Sequence, residues 1–171
     1  MKHLFLLAAL AAGLSASTLS NPVHNSGGGT LSSASITNPT PNNNNVTGQS
    51  LNLFTIVETL TTSTGPFAIG FQIDPSAAST EYFVSKTITN NSGVTWTGFT
   101  IGVGCGSDGL VRCSGFDPLL MDYDQSPTLT PGSSSLTTTP ISFMFSNINL
   151  TQGQSMVITF SIDSCAQCTG T

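Results

Sequence analysis

The chain has 171 residues, of which only 6% are Asp, Glu, Lys or Arg, and its formal net charge is −5. An average domain carries about 25% charged residues; here Ser, Thr, Asn and Gly supply the polarity instead. Lys86 and Arg112 are the only basic side chains beyond the first few residues, so the surface has no means of neutralising phosphates, which excludes nucleic acid and anionic lipid as partners.

Lys2 and His3 precede an apolar run from Leu4 to Ala12, Gly13 breaks the run, and the small residues Ser15, Ala16 and Ser17 follow. This is the layout of a cleavable secretory signal over residues 1–17. The apolar run is shorter than the roughly 20 residues that span a bilayer, and no later stretch approaches that length. The expectation is an exported chain with no stable membrane insertion after cleavage. It is secreted or held at the cell surface, with the periplasm as the other destination. The remaining chain, roughly 150 residues, fits one domain with a real core.

Residues 18–49 read as a flexible arm. They include Gly27-Gly28-Gly29, Asn38-Pro39-Thr40-Pro41 and a run from Asn42 to Asn45, with no surviving periodicity. Within the arm, Leu31 to Thr37 is compatible with a strand that pairs with a neighbouring copy, giving weak self-association. From Leu51 the pattern changes to period two, the mark of half-buried strands. Residues 51–60 are apolar on both faces and read as a central strand. The run 66–73 alternates Phe67, Ile69, Phe71 and Ile73 against smaller residues. In 81–89, Tyr82, Val84 and Ile88 share a face, with Lys86 among them. Phe99, Ile101 and Val103 follow, then Ile141, Phe143 and Phe145, then Met156, Ile158, Phe160 and Ile162. Turn chemistry separates the runs, as at Thr64-Gly65-Pro66, Asn91-Ser92-Gly93 and Gln152-Gly153-Gln154. No convincing helical period appears, and 117–123 is expected to form at most one helical turn. The fold class is therefore all-β: an antiparallel β-sandwich over 50–171, Ig-like or jelly-roll-like, of about seven strands.

The side chains that carry chemistry are sparse. His24 is the only histidine beyond the leader and lies in the arm, which removes triad chemistries that need a positioned imidazole; no catalytic residue is assigned. Asp108, Asp117, Asp122 and Asp124 cluster among Gly and Pro. As loop oxygens they suit calcium better than catalysis, although no EF-hand spacing is present; plain turn and surface acids are the simpler reading, and no cofactor is required. Trp96, Tyr82 and Tyr123 offer a sugar-stacking platform, against the alternative that Trp96 fills the core. Cys105, Cys113, Cys165 and Cys168 are even in number and follow an export signal, which favours two disulfides over a zinc or redox site.

The stretch from Tyr82 to Ile101, with Val84, Lys86, Ile88, Asn90, Ser92, Gly93, Trp96 and Phe99 in order, resembles a strand–turn–strand of exported bacterial proteins of the PEP-CTERM sorting class. The late strand from Gly153 to Ile162 is similar as well. That class ends in Pro-Glu-Pro, an apolar helix and a basic tail, whereas this chain ends Cys168-Thr169-Gly170-Thr171, so its sorting route does not carry over. The resemblance implies a Gram-negative cell surface or biofilm matrix and supplies no catalytic residues.

The functional expectation is a secreted, non-enzymatic structural or adhesive module whose partners are extracellular polymers or cell-surface components. A carbohydrate-binding module, calcium-assisted through the loop acids, is the alternative; a glycan-processing enzyme is the distant one. For the cysteines, strand order favours the local pairs Cys105–Cys113 and Cys165–Cys168, with crossed pairing between the two groups as the alternative. Non-reducing peptide mapping of the secreted protein should recover the local pairs; free thiols would refute both arrangements.

Overall fold

A computed structural model of the chain describes residues 17–39, 50–74, 79–104, 119–123, 126–130 and 134–164. These residues form an all-β structure of eleven strands and no helix: β1 (Thr18–Ser26), β2 (Gly29–Thr37), β3 (Leu53–Leu60), β4 (Ala68–Asp74), β5 (Thr80–Asn90), β6 (Trp96–Gly102), β7 (Leu119–Asp122), β8 (Thr128–Thr130), β9 (Ser135–Thr139), β10 (Ser142–Leu150) and β11 (Ser155–Ser164). One layer is a six-stranded sheet in the order β2-β3-β5-β11-β7, with β8 also paired to β11. The other layer consists of two separate sheets, β1-β4 and β6-β10-β9.

The alternating residues build the core row by row. Phe54, Val84 and Phe160 lie side by side across β3, β5 and β11. Phe71 of β4 packs edge-on to Phe54, and Phe143 of β10 packs edge-on to Phe160 at 5.0 Å between ring centres. Both smaller sheets therefore cover the same face of the large one. Phe143, Phe145, Ile158 and Phe160 are buried, as their period-two spacing requires, while Phe67, Ile69 and Phe71 are half-buried. The strand read as central, β3, does sit inside the sheet, between β2 and β5.

Four expectations are corrected. The strand count is eleven among the described residues, not about seven. The sheets are not wholly antiparallel, because β3 and β5 run parallel. Residues 117–123 do not form a helical turn where they are described: Leu119–Asp122 is a strand on β11, with Leu119 and Met121 buried and the Met121 amide bonded to the Pro140 carbonyl. Finally, residues 18–37 are not a flexible arm but the strands β1 and β2, paired to β4 and β3; residues 40–49 lie outside the described residues.

The arm's misleading signals have local explanations. Pro22 sits at a bulge in β1 between Ser20 and Val23, where Asn21 adopts a left-handed φ of 51°, and a bulge is where a strand tolerates proline. The glycine run 27–29 is a close-packed crossing between layers. A Cβ on Gly28 would meet the Thr62 side chain at 2.3 Å, and one on Gly27 would meet the Pro66 carbonyl at 2.1 Å. The chain closes on itself at Ser17, whose hydroxyl lies 3.1 Å from that of Ser164 at the end of β11.

Phe160 touches the middle of this core, so Phe160→Ala should cost about 3–5 kcal/mol of stability. A denaturant titration checks it, and a loss below about 1 kcal/mol would place the residue on the wrong face.

Candidate functional site

The motif of strand β5 and its turn is a hydrogen-bonded corner. The Asn90 amide donates to the carbonyls of Val94 (2.7 Å) and Leu150 (2.8 Å), and its side-chain oxygen accepts from the Ser92 amide and hydroxyl. The Ser92 hydroxyl in turn accepts from Trp96 Nε1 at 2.9 Å. Gly93 takes a φ of 83°, and its amide donates to Gln152 at 2.6 Å, which ties this turn to the β10–β11 turn. Asn, Ser-Gly and Trp at this spacing thus serve the fold, turning the chain from one layer into the other.

A cavity of about 840 Å³ lies between the layers. Its floor is the six-stranded sheet around Ile56, Val84 and Ile88; its walls are β4 and β6; residues 62–67 and Trp96 stand at one end. On the floor are two charged groups. Glu58 follows an apolar run on β3 and Lys86 interrupts one on β5; the register sets Lys86 beside Ile56 and Ile158, and Glu58 beside Ile88. The ammonium donates to Glu58 Oε2 at 2.5 Å, with the residues 9% and 1% exposed.

Burial raises the Glu58 pKa above the ordinary carboxylate value, and the Lys86 charge and hydrogen bond offset part of that rise. Burial lowers the Lys86 pKa, again partly offset by Glu58. Desolvation is thus the larger effect on each member. The native state holds the Glu58 proton where the unfolded chain has released it, so this group's contribution to stability falls as pH rises above about 4.5. The native Lys86 sheds its proton earlier than the unfolded one, so its contribution improves as pH rises toward 10.5. Between these limits the ionised pair costs stability.

The three aromatics do not form a platform. Tyr82 is fully buried; its hydroxyl accepts from the Leu19 amide at 2.8 Å and donates to Asn38 Oδ1, locking β1 to the end of β2. Burial raises its pKa. Tyr123 is half-buried, and its hydroxyl donates to the carbonyls of Thr139 (2.7 Å) and Ser142 (2.8 Å) across the β9–β10 turn; burial raises its pKa too. Trp96 is half-buried at the far end of the molecule from Tyr82. The two are separated by the stretch from Tyr82 to Asn90, about 26 Å of strand.

Asp122 lies on β7 opposite Ser161; Asp108, Asp117 and Asp124 lie outside the described residues, as do Cys105, Cys113, Cys165 and Cys168. Among the described residues no three His, Cys, Asp or Glu side chains are placed to hold a metal ion. His24, read as part of a loose arm, is on β1 and stacks on Phe67 with ring centres 4.6 Å apart. Sequence reasoning noted Lys86 but missed Glu58. The available signal was one charge in each of two apolar strand runs.

No protein-family model, curated protein or solved structure matches the chain.

Removing one member of the pair leaves the other buried alone. Lys86→Met should cost about 3–5 kcal/mol near neutral pH. The loss should shrink as pH falls toward about 4.5, because buried Glu58 takes up its proton above that ordinary carboxylate value. The double change Lys86→Met/Glu58→Leu should recover most of it. Denaturant titrations of the three proteins across pH decide this, and an equal loss at every pH would refute it.

Proposed function

We propose that the chain is a non-enzymatic structural or adhesive module, exported to a bacterial cell surface or biofilm matrix, that works by contact along its sheet edges. The observation that supports this reading is the chemistry of those edges. β2 borders the six-stranded sheet with nine residues and no charge. β9 borders the three-stranded sheet with five exposed Ser, Leu and Thr residues, Ser135–Thr139, also uncharged. Edge strands of proteins that stay apart usually carry Lys, Pro, bulges or inward charges; on β2 and β9, among the described residues, the one such device is a bulge in β2 between Leu31 and Ser33. Rows of hydroxyls beside unpaired backbone groups suit contact with hydrated polymers or with like strands. The resemblance of the β5–β6 segment to exported matrix proteins agrees with this setting.

The carbohydrate-binding alternative needs an open aromatic face, whereas Trp96 is partly buried and its indole N–H is committed to Ser92.

Sedimentation of the protein at high concentration should show weak, reversible association. Ser35→Lys on β2 and Thr137→Lys on β9, both at exposed positions, should each reduce it. A chain that stays monomeric and coats no polymer surface, or variants that associate as the parent does, would overturn edge-mediated contact.

A further inference from the structure

The second layer is split where the sandwich should be best filled. β4 pairs only with β1 and β6 only with β10 among the described residues, so each has one edge without a partner strand. Both edges border the cavity. A strand that merely turns one face to a cavity contributes alternate residues to its wall. Here residues 67–71 and 98–104 contribute consecutively, as strands do when their backbone edge is what the cavity meets. The two strands also enter from the same end. β3 and β5 are parallel, and the Asn91 amide bonds to the Leu60 carbonyl where they finish; each chain then crosses to the other layer, as β4 and β6.

We propose that this seam is a binding site for an extended, uncharged polypeptide segment, which adds a strand between β4 and β6. Three observations select that occupant. Covering two strand edges with a hydrocarbon would bury backbone N–H and C=O groups without partners, which is costly, whereas a strand satisfies both edges at once. The room also fits. With a rise of about 3.3 Å, a strand spacing of about 4.8 Å and a sheet spacing of about 10 Å, one strand residue fills roughly 160 Å³. The cavity of about 840 Å³ therefore holds about five residues of strand. The charge balance fits as well: Lys86 and Glu58 neutralise one another on the floor, so a charged side chain entering above them meets no counter-charge, while apolar side chains meet Ile56, Val84 and Ile88. Running antiparallel to both flanking strands gives the segment the stronger ladder on each side.

Trp96, the only tryptophan, lines the cavity and reports occupancy. The probe is the peptide acetyl-Ser-Val-Thr-Val-Thr-Val-Ser-amide, with a second peptide carrying proline in place of its central valine. The first should shift Trp96 emission to the blue in a saturable titration and slow hydrogen exchange in 69–73 and 98–102. The proline peptide, lacking a donor, should bind at least about tenfold more weakly. Thr100→Lys, at an exposed position on the cavity rim, should weaken the first peptide at least about tenfold. Thr97→Lys, exposed on the same strand, should leave binding unchanged. Equal binding of the two peptides, no binding, or equal effects of the two variants overturns the proposal. So does preferential uptake of the uncharged apolar dye Nile red that the peptide fails to displace, which would make the seam an apolar small-molecule site. A dimer that Thr100→Lys dissociates and the peptide does not compete with would assign the seam to a second copy instead.

Discussion

The parallel pairing of β3 with β5 is the constraint from which the rest of the architecture follows. Most neighbours in a sandwich are antiparallel, and a parallel pair needs each strand to leave its sheet before the next can return. β3 leaves through residues 61–67 and β5 through residues 91–95. The two exits lie side by side, so the outgoing strands β4 and β6 run across the sandwich in the same direction. Each then finds its own partner, β1 or β10, and the second layer divides in two. The Lys86–Glu58 pair lies under that division. Even beside a roomy seam its members are 9% and 1% exposed, and burial outweighs the partner's charge for both.

Much of the large sheet could be read directly. β3, β5 and β11, with β4, β6 and β10 facing them, carry mostly apolar residues at alternate positions, broken by Glu58 on β3, Lys86 on β5 and a shift near Asn147 on β10, and are bounded by Gly, Pro or Asn. The strands that could not be read are those whose partners supply the order. β1 and β2 have few apolar side chains; a proline placed at a bulge and three glycines packed against Pro66, Thr62 and the Thr59 carbonyl have the same composition as a linker. Leu119–Asp122 is too short for any period to show, and only its ladder with β11 makes it a strand. β9 is Thr-rich and wholly exposed, with no apolar face to betray it.

The site was less legible than the fold, for a physical reason. A cavity is a relation between strands that are distant in sequence, and no spacing within a strand encodes it. Tyr82, Trp96 and Tyr123 suggested a common surface because aromatic rings are suited to one. Their polar ends instead meet Asn38, Ser92 and the Thr139 carbonyl, and each ring pins a separate junction. The motif of the β5–β6 segment has the same meaning: Asn90, Ser92, Gly93 and Trp96 hold a turn and mark a way of crossing between layers.

The contact between Ser17 and Ser164 brings the first and last described residues of the sandwich to one point. A domain whose ends meet can be spliced into a loop of a host protein, or its strand order can be permuted, with little disturbance to its packing. Strung in series, such units would branch from a backbone like beads on short stalks instead of extending it end to end. The edges β2 and β9 would then project from every bead.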